Sequence, residues 1–486
     1  MSYTNVVPNR ELRLNATVAY GGSCSCLASE RRQGCLKRRA RTFSQASVCQ
    51  EWYSMFTLLT VQNSAVIVHG PVGCVSSAAT MNIFNRLGQV ARGTNPVRSK
   101  RWFSTELGEN EVIHGGEEKL RDTVRAVDER YHPEVIFVFT SCVSGIIGDA
   151  VRDVVNALQS EVGARIVLSE CEGFKSSVWA TGFDAAFHGI TQALLEPRNE
   201  RLANLVNVIS PLTVGRLDEV EIERLFEPLG LEANFIPCYA SLEGIRKTVQ
   251  ASATASTCMT YGDYFARQLQ EHYGVPFTRD VMPLGIESTD AWLRNLAHLV
   301  GKEQQVERLI AAEHERIKPV LDSLRSKLAG KRVFISAGQA RAMTMSAMAT
   351  ELGFELVGTT VYHYDEVIVE SIARLSRSLG DFPINVANVQ PFEQANLLRR
   401  LKPDLYLSDE MTTGWAAKQG IPTMMIYDYG MTYLGYEGVL KIGERILHAI
   451  SNPSFSLGLQ RHKSLPYRES WYAADPFKYV AIDGAE

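Results

Sequence analysis

Short apolar runs alternate with amphipathic stretches along most of the chain. The amphipathic stretches, such as GGEEKLRDTVRAVDERY and ESIARLSRSL, have the residue pattern of helices. The runs between them lack polar alternation: AVIVHG, VIFVFTS, ARIVLSE, NLVNVIS, KRVFISAG, FELVGTTV, INVAN, DLYLSD and TMMIYD. Strands that are buried on both faces have this pattern. The sequence therefore predicts an α/β fold in which helices cover both faces of parallel sheets.

Two breaks divide the chain into predicted domains. A chain of 486 residues is too long for a single core. The charged stretch KEQQVERLIAAEHERIKPVLDSLRSKLAGK ends near Gly330, and an earlier apolar run ends near Pro211, before the charged RLDEVEIERLFEPLG. We predict an N-terminal arm with a first α/β domain over 1–210, a second α/β domain over 211–330, and a third with a C-terminal tail over 331–486.

Charge and composition argue against several classes of protein. A net charge of −4 provides no electrostatic case for binding nucleic acid, and no apolar run is long enough to span a membrane. The first residues, MSYTNVVPNRELRLNATVAYGG, lack the apolar core of a secretory signal. We therefore expect a cytoplasmic protein, whose nine cysteines do not form disulfides.

Several cysteines follow directly after strand-like runs. Cys74, Cys142 and Cys171 come after VIVHGPVG, VIFVFTS and IVLSE, at the strand ends where parallel sheets bind ligands. For any single cysteine, a buried inert thiol is the competing interpretation. There is no CxxC pair, which disfavours a zinc knuckle or a ferredoxin run. Thiolates from separate loops, such as Cys49, Cys74 and Cys142, would suit a large iron–sulfur cluster shared with another chain.

Nucleotide-binding and hydrolase motifs are absent from the sequence. It contains no GxxxxGK(S/T) phosphate loop, no GxGxxG turn after a strand and no GxSxG elbow. If redox chemistry takes place on this chain, the electrons must therefore come from a partner.

Five segments resemble the nitrogenase component 1 α-subunit superfamily. They are HGPVGC (69–74), STELGENEVIHGGEEKL (104–120), TSCVSGIIGDA (140–150), SECEGFKS (169–176) and LKPDLYLSDEMTTGWAAKQGIPTMMIYDYGMTYLGYEG (401–438). The resemblance implies three Rossmann-like α/β domains, an α2β2 assembly with a homologous β-type subunit, and an ATP-hydrolysing 4Fe-4S iron protein as electron donor. It also implies that Cys49, Cys74 and Cys142 hold half of a P-type cluster (8Fe-7S, or 4Fe-4S) at the subunit interface.

The same resemblance implies a second, larger iron–sulfur cofactor of the 8Fe-9S-C type. Its cysteine ligand corresponds to Cys258 in SATASTCMTYGDYF, although from the residues alone Cys258 could equally be a core residue. The histidine ligand of nitrogenases is replaced by Met425, and methionine is a weak iron ligand. Trp179 and Phe183 stand where nitrogenases have glutamine and histidine, and Asn82 stands where they have arginine.

These replacements change the expected substrate. Dinitrogen reduction requires a nearby proton donor, whereas an aromatic and apolar wall favours a methyl or thioether substrate. The competing interpretation is that Trp179 and Phe183 are packing residues in a site that performs no chemistry. Within the superfamily the chain resembles most the catalytic α-type subunits of methylthio-alkane reductases. That resemblance implies reductive C–S cleavage of small compounds such as 2-(methylthio)ethanol or dimethyl sulfide, giving methanethiol and an alkene or alkane. The alternatives are a cofactor-assembly scaffold and a tetrapyrrole reductase subunit.

Some roles stay open at this point. His363, in GTTVYHYDEV, is either a proton donor beside the cofactor, its second ligand, or a surface-loop residue. The segment CSCLASERRQGC, with its three cysteines, is either a further metal site or a stretch of unliganded thiols. Cys171 and Cys238 are predicted to be buried in the core.

Overall fold

The computed structural model describes residues 7–33, 36, 39–41, 48–97, 99–408, 412–428 and 430–482. Its strands are β1 Ala19–Ser23, β2 Arg39–Arg41, β3 Ser64–His69, β4 Arg101–Ser104, β5 Val135–Thr140, β6 Arg165–Ser169, β7 Leu202–Ser210, β8 Glu232–Pro237, β9 Ala251–Ser256, β10 Arg332–Ala337, β11 Glu355–Val361, β12 Pro383–Ala387, β13 Leu405–Ser408, β14 Thr423–Met425 and β15 Val480–Ile482.

Helices fill most of the chain between the strands. They are α1 Arg10–Arg13, α2 Cys24–Gln33, α3 Gln50–Leu58, α4 Val72–Ala91, α5 Glu109–His114, α6 Glu117–Tyr131, α7 Cys142–Ile147, α8 Val151–Leu158, α9 Thr181–Leu194, α10 Arg216–Phe226, α11 Leu242–Arg246, α12 Met259–Tyr273, α13 Ile286–Val300, α14 Glu303–Leu328, α15 Gln339–Glu351, α16 Val369–Leu379, α17 Pro391–Leu401, α18 Thr413–Ala417, α19 Gly435–Ser451, α20 Ser454–His462 and α21 Glu469–Ala473. Within the described ranges, no helix is both long and apolar enough to cross a membrane.

The first sheet has the strand order β4-β3-β5-β6, with every neighbouring pair parallel. Every residue of β3 and β5 is buried, which explains why their sequences are continuous apolar runs. In the register of this pair, His69 lies opposite Thr140. The loops that follow β3 and β5 therefore leave the sheet side by side.

The second sheet has the order β8-β7-β9 and is also parallel. Strand β7 lies before the predicted domain boundary at residue 210, yet it pairs with β8 and β9 and so belongs to the second sheet. The apolar pattern identified β7 as a strand but carried no information about its neighbours in space.

The third sheet combines five parallel strands with one antiparallel strand from the N-terminal arm. Its order is β1-β12-β11-β10-β13-β14, and β1 runs antiparallel to β12. Strand β2 of the arm pairs with β15 near the C-terminus. The parallel α/β prediction is confirmed, while the arm strand of the third sheet was not predicted, because AYGGS resembles a loop more than a strand.

Candidate cluster-binding sites

Three helix starts bring Cys49, Cys74 and Cys142 to one edge of the first sheet. Cys49 is the N-cap residue of α3, Cys74 lies in the first turn of α4 after β3, and Cys142 is the first residue of α7 after β5. Cys49 is exposed, and the other two thiols are half-buried. The sequence prediction placed Cys74 and Cys142 just beyond strand ends, and the structure confirms that placement.

Two features hold the Cys74 and Cys142 loops against each other. A Cβ atom on Gly70 would lie 2.5 Å from Ser141 Oγ, so only glycine permits this approach of the two loops. The buried His69 ring lies between the two loops and a third, with Nε2 at 2.8 Å from Asp149 Oδ2 and Nδ1 at 3.1 Å from Thr105 Oγ1. Burial lowers the pKa of His69, which favours the neutral ring.

Gly173 lies next to two of the three thiols. A Cβ atom at this position would lie 3.1 Å from Cys49 Cβ and 3.2 Å from Cys142 Sγ. The glycine of the CEGF segment therefore leaves room beside both cysteines, in the place where a bound group would have to fit.

Glu51 is a buried acidic group beside the same thiols, and the sequence analysis missed it. Burial raises the pKa of Glu51 to about 7, although its contact with the Cys74 thiol opposes the shift. Burial, together with the Glu51 carboxylate, raises the pKa of Cys74 to about 12. Without a metal this thiol is protonated, so iron binding must release its proton. A glutamate in the first turn of a helix is ordinarily solvated, so the sequence contained no signal for it.

Three exposed apolar side chains, here called the apolar rim, lie close in sequence to the thiols or to Gly173. Val72, Ile146 and Phe174 are 55%, 74% and 56% exposed, and each lies close in sequence to Cys74, Cys142 or Gly173. Exposed apolar patches of this kind mark protein interfaces. Across the described residues, no three His, Cys, Asp or Glu side chains are placed to hold a single metal ion. The donor set is thiol-only and open on one side, which fits half of a shared iron–sulfur cluster.

Filling the space beside Gly173 is expected to impair cluster binding. In Gly173→Ala the new methyl group would press on Cys49 and on the Cys142 sulfur, so we expect iron bound at this interface to fall several-fold. Iron content and the EPR spectrum of the purified complex would measure the effect. Gly458→Ala is the matched control, because no atom lies within 4 Å of its added Cβ. Full iron occupancy in Gly173→Ala would contradict this placement.

Cys258 lies at a second position, where the second domain meets the third. It is the half-buried N-cap residue of α12, after β9. Burial raises the pKa of Tyr433, the nearby Cys258 sulfur adds to the shift, and Arg341 opposes it. Arg341 is 8% exposed and donates to Thr213 Oγ1 at 2.7 Å. A buried cation near the thiol suits an anionic group, and the sequence analysis did not identify this arginine.

Trp179, Phe183 and His363 come together in one aromatic cluster. Trp179 stacks on Tyr53 with ring centroids 3.8 Å apart, and its ring centroid lies 6.1 Å from that of Phe183 and 5.8 Å from that of His363. The Phe183 ring lies 4.7 Å from that of Tyr261, three residues after Cys258. Trp179 and Phe183 are only 5% and 6% exposed, so they form a dry wall between the first and third domains.

His363 is completely buried, which is inconsistent with a surface-loop residue. Its Nε2 lies 3.2 Å from Asp365 Oδ2, but neither ring nitrogen makes a hydrogen bond within the described part of the chain. Trp179 Nε1 and Thr260 Oγ1 are likewise buried without a hydrogen-bond partner there. Buried polar atoms normally have partners, so these three residues fit a site for a further polar group.

The remaining predicted positions are more scattered. Met425 ends β14 and is 40% exposed, and Asn82 lies on α4, where its side chain accepts from the Lys100 backbone N–H at 3.0 Å. Cys171 and Cys238 are buried, as predicted. In the arm, Cys24 is buried and Cys26 exposed, while Cys35 lies outside the described residues.

The chain is similar to proteins of one family over most of its length. The family described as nitrogenase component 1 type oxidoreductase matches residues 49–451. A nitrogenase iron-molybdenum cofactor biosynthesis protein NifE from Methanococcus maripaludis is 26% identical over 408 residues, covering 82% of each chain. A nitrogenase molybdenum-iron protein alpha chain from Methanosarcina barkeri is 24% identical over 450 residues, covering 81% of this chain and 84% of that one. The structure titled nitrogenase Cp1 at pH 6.5 has the same fold, with a TM-score of 0.72 at 20% identity over 88% of this chain and 93% of that chain.

Proposed function

Because the chain belongs to the nitrogenase component 1 type oxidoreductase family, we propose that it is the catalytic α-type subunit of a methylthio-alkane reductase. In this proposal it cleaves C–S bonds of small methylthio-alkanes with electrons from an ATP-hydrolysing iron protein. The observation that carries the proposal is the aromatic wall of Trp179 and Phe183, which reaches Tyr261, three residues after Cys258 in the chain.

The first site supports a role in electron transfer across a subunit interface. Cys49, Cys74 and Cys142 would hold half of a P-type cluster, either 8Fe-7S or 4Fe-4S, and the apolar rim around them would pack against a homologous β-type subunit. When bound, iron–sulfur groups supply electron transfer at low potential. Glu51 lies against Cys74 and provides a buried group that can bind the proton released when the thiol ionises.

The second site supports reduction of an apolar substrate. Cys258 would hold a larger cofactor of the 8Fe-9S-C type, with the buried Arg341 offsetting its negative charge. Trp179 and Phe183 exclude water, and a dry aromatic wall favours a thioether over a polar ligand. Cleavage of dimethyl sulfide consumes two electrons and two protons and releases methanethiol and methane. Cleavage of 2-(methylthio)ethanol consumes the same number and releases methanethiol, ethylene and water.

His363 is the proton donor in this proposal. Its ring borders Trp179, its Nε2 lies 3.2 Å from Asp365 Oδ2, and its Nδ1 has no hydrogen-bond partner among the described residues, so Nδ1 is the atom that would serve a group placed beside the wall. Asp365 lies behind the ring and holds it in place.

A cofactor-assembly scaffold is the second candidate, and two observations favour it. A relative that matches most of the chain is a cofactor biosynthesis protein. Met425 also stands where nitrogenases have their histidine ligand, and a cofactor held mainly by Cys258 would be easier to release. In this case the chain would carry a cofactor for transfer and would perform no reduction.

Activity and transfer assays separate the two candidates. The chain would be co-expressed with its β-type partner, purified without oxygen and mixed with the iron protein, ATP, dithionite and 2-(methylthio)ethanol. Gas chromatography is expected to detect methanethiol and ethylene, and Cys258→Ala is expected to produce neither. If the parent complex releases no product but activates a cofactor-free acceptor protein, the reductase proposal is wrong and the scaffold is supported.

Omitting the β-type partner is expected to prevent cluster formation. The interface thiols would then supply only half of the ligands, and the apolar rim would face water. We expect iron-poor or aggregated protein, to be followed by iron analysis and size-exclusion chromatography. The matched control is the same chain co-expressed with its partner. A stable monomer with full iron content would refute the shared cluster.

A further inference from the structure

Arg10 of the N-terminal arm is a completely buried cation that contacts all three domains. Its Nη2 donates to Asp184 Oδ1 at 2.7 Å and to the Thr260 carbonyl oxygen at 2.5 Å, and its Nη1 donates to Asp365 Oδ2 at 3.3 Å. The side chains of Arg10, Asp184 and Asp365 have no solvent exposure. A buried arginine with this set of partners fixes the geometry of every group it binds.

Each of these contacts lies next to a residue of the proposed cofactor site. Asp184 follows Phe183, Thr260 comes two residues after Cys258, and Asp365 comes two residues after His363. Arg10 itself precedes the segment matched by the family, which begins at residue 49. A residue outside that segment therefore contacts close sequence neighbours of three residues of the proposed site.

The charges around Arg10 show which of its two acidic partners depends on it most. Asp184 has a second cation, since Arg13 Nη2 lies 2.8 Å from its Oδ2. Arg13 also binds Asp263, so it joins only the first and second domains. Burial opposes ionisation of Asp365, and His363, Arg10 and the Gln339 side chain together hold its pKa below the usual value. Of these two arginines of the arm, Arg10 is therefore the one that contacts the third domain at the site.

We propose that Arg10 is a positioning residue that holds Asp365, and through it the ring of His363, in place beside Trp179. The role of His363 as proton donor rests on the proposed function, whereas its positioning by Arg10 and Asp365 does not. Without Arg10, Asp365 would keep the Val367 N–H and the Gln339 side chain but would lose the cation at its Oδ2, and the His363 ring that faces this oxygen would leave its position against the aromatic wall.

The test compares variants in the complex purified with the β-type partner. Loss of a residue that orients an active group costs about 10- to 100-fold in activity, so Arg10→Met is expected to lose methanethiol formation by that factor. Arg10→Lys is expected to recover part of it, because the cation is kept. Arg13→Met is the matched control. Its rate of methanethiol formation is expected to stay within a few-fold of the parent rate, since Asp365 keeps its contact with Arg10. Equal losses in Arg10→Met and Arg13→Met would overturn the proposal.

Hydrogen–deuterium exchange provides a readout that needs no substrate. Arg10→Met is expected to raise exchange in peptides covering 360–368 and 257–264, whereas Arg13→Met should raise it in 257–264 but not in 360–368. Unchanged exchange over 360–368 in Arg10→Met would overturn the proposal, even if the parent complex proves inactive on thioethers. Should Arg10→Met fail to fold, Asp365→Asn keeps Arg10 and is expected to show the same rise over 360–368. If hydrogen exchange over 360–368 in Asp365→Asn stays at the level of the parent protein, the positioning role of Arg10 is likewise wrong.

Discussion

Replacing Cys142 by alanine is expected to abolish turnover while the first domain stays folded. Cys142 begins α7 just beyond β5 and is only half-buried, so the packing loss is modest, on the order of 1–2 kcal/mol. In the proposed function Cys142 is a cluster ligand on the electron path, and loss of even an orienting neighbour of a metal costs about 10- to 100-fold. Methanethiol formation, the interface EPR signal and thermal unfolding would be measured on the same preparation.

Cys171→Ala is the matched control for this experiment. Cys171 is completely buried two residues beyond β6, and its sulfur lies 3.5 Å from the Thr140 carbonyl oxygen. Its replacement should lower the free energy of unfolding at least as much as Cys142→Ala does, with the EPR signal retained. If Cys142→Ala keeps the parent turnover and Cys171→Ala does not, the ligand assignment must be exchanged between them.

Under the proposed function, Phe183→His is expected to redirect electrons from C–S cleavage to hydrogen evolution. The substitution places an imidazole in the wall formed with Trp179, Tyr53 and Tyr261. Positioned proton donors accelerate proton transfer by about 100- to 10,000-fold. We therefore expect hydrogen evolution to rise by about 10-fold or more while methanethiol release falls. Both gases can be quantified in the same headspace.

Phe187→His is the control, because it puts the same group one helical turn away. Phe187 is fully buried and stacks on Phe265 with ring centroids 4.7 Å apart. Both variants bury a polar ring and should lose comparable stability, but only Phe183→His should change the product ratio. An identical product ratio in the two variants would place Phe183 outside the site.

The sequence predicted those parts of the fold that depend on local pattern. The apolar runs of β3 and β5 identified two neighbouring strands, and Cys74 and Cys142 followed because ligands collect at strand ends. Strand β9, ASATAS, was not predicted, because alanine and serine have little strand preference and its burial comes from neighbouring elements.

At the candidate site, too, the sequence predicted what depends on neighbouring residues in the chain and missed what depends on residues far away in it. His363 stayed ambiguous in the sequence, since only folding decides whether a residue after a strand faces water or the core. Glu51 and Arg10 carried no motif, and their roles come from burial and from partners far away along the chain. Charged side chains are usually exposed, so nothing in the sequence distinguished these two from surface residues.

The pairing of β1 with β12 also constrains the order in which the protein can be completed during synthesis. The arm is translated before the strands of the first two sheets, but its strand pairs Ala19 with Ala387, so its partner emerges only after those two sheets have been translated. Domains generally fold in turn from the N-terminus, so the first two sheets can form while the arm has nothing to pair with. Until then its unpaired strand is an exposed edge that other chains can bind. Truncations that remove the third domain should therefore aggregate through the N-terminus, far from the site of the cut.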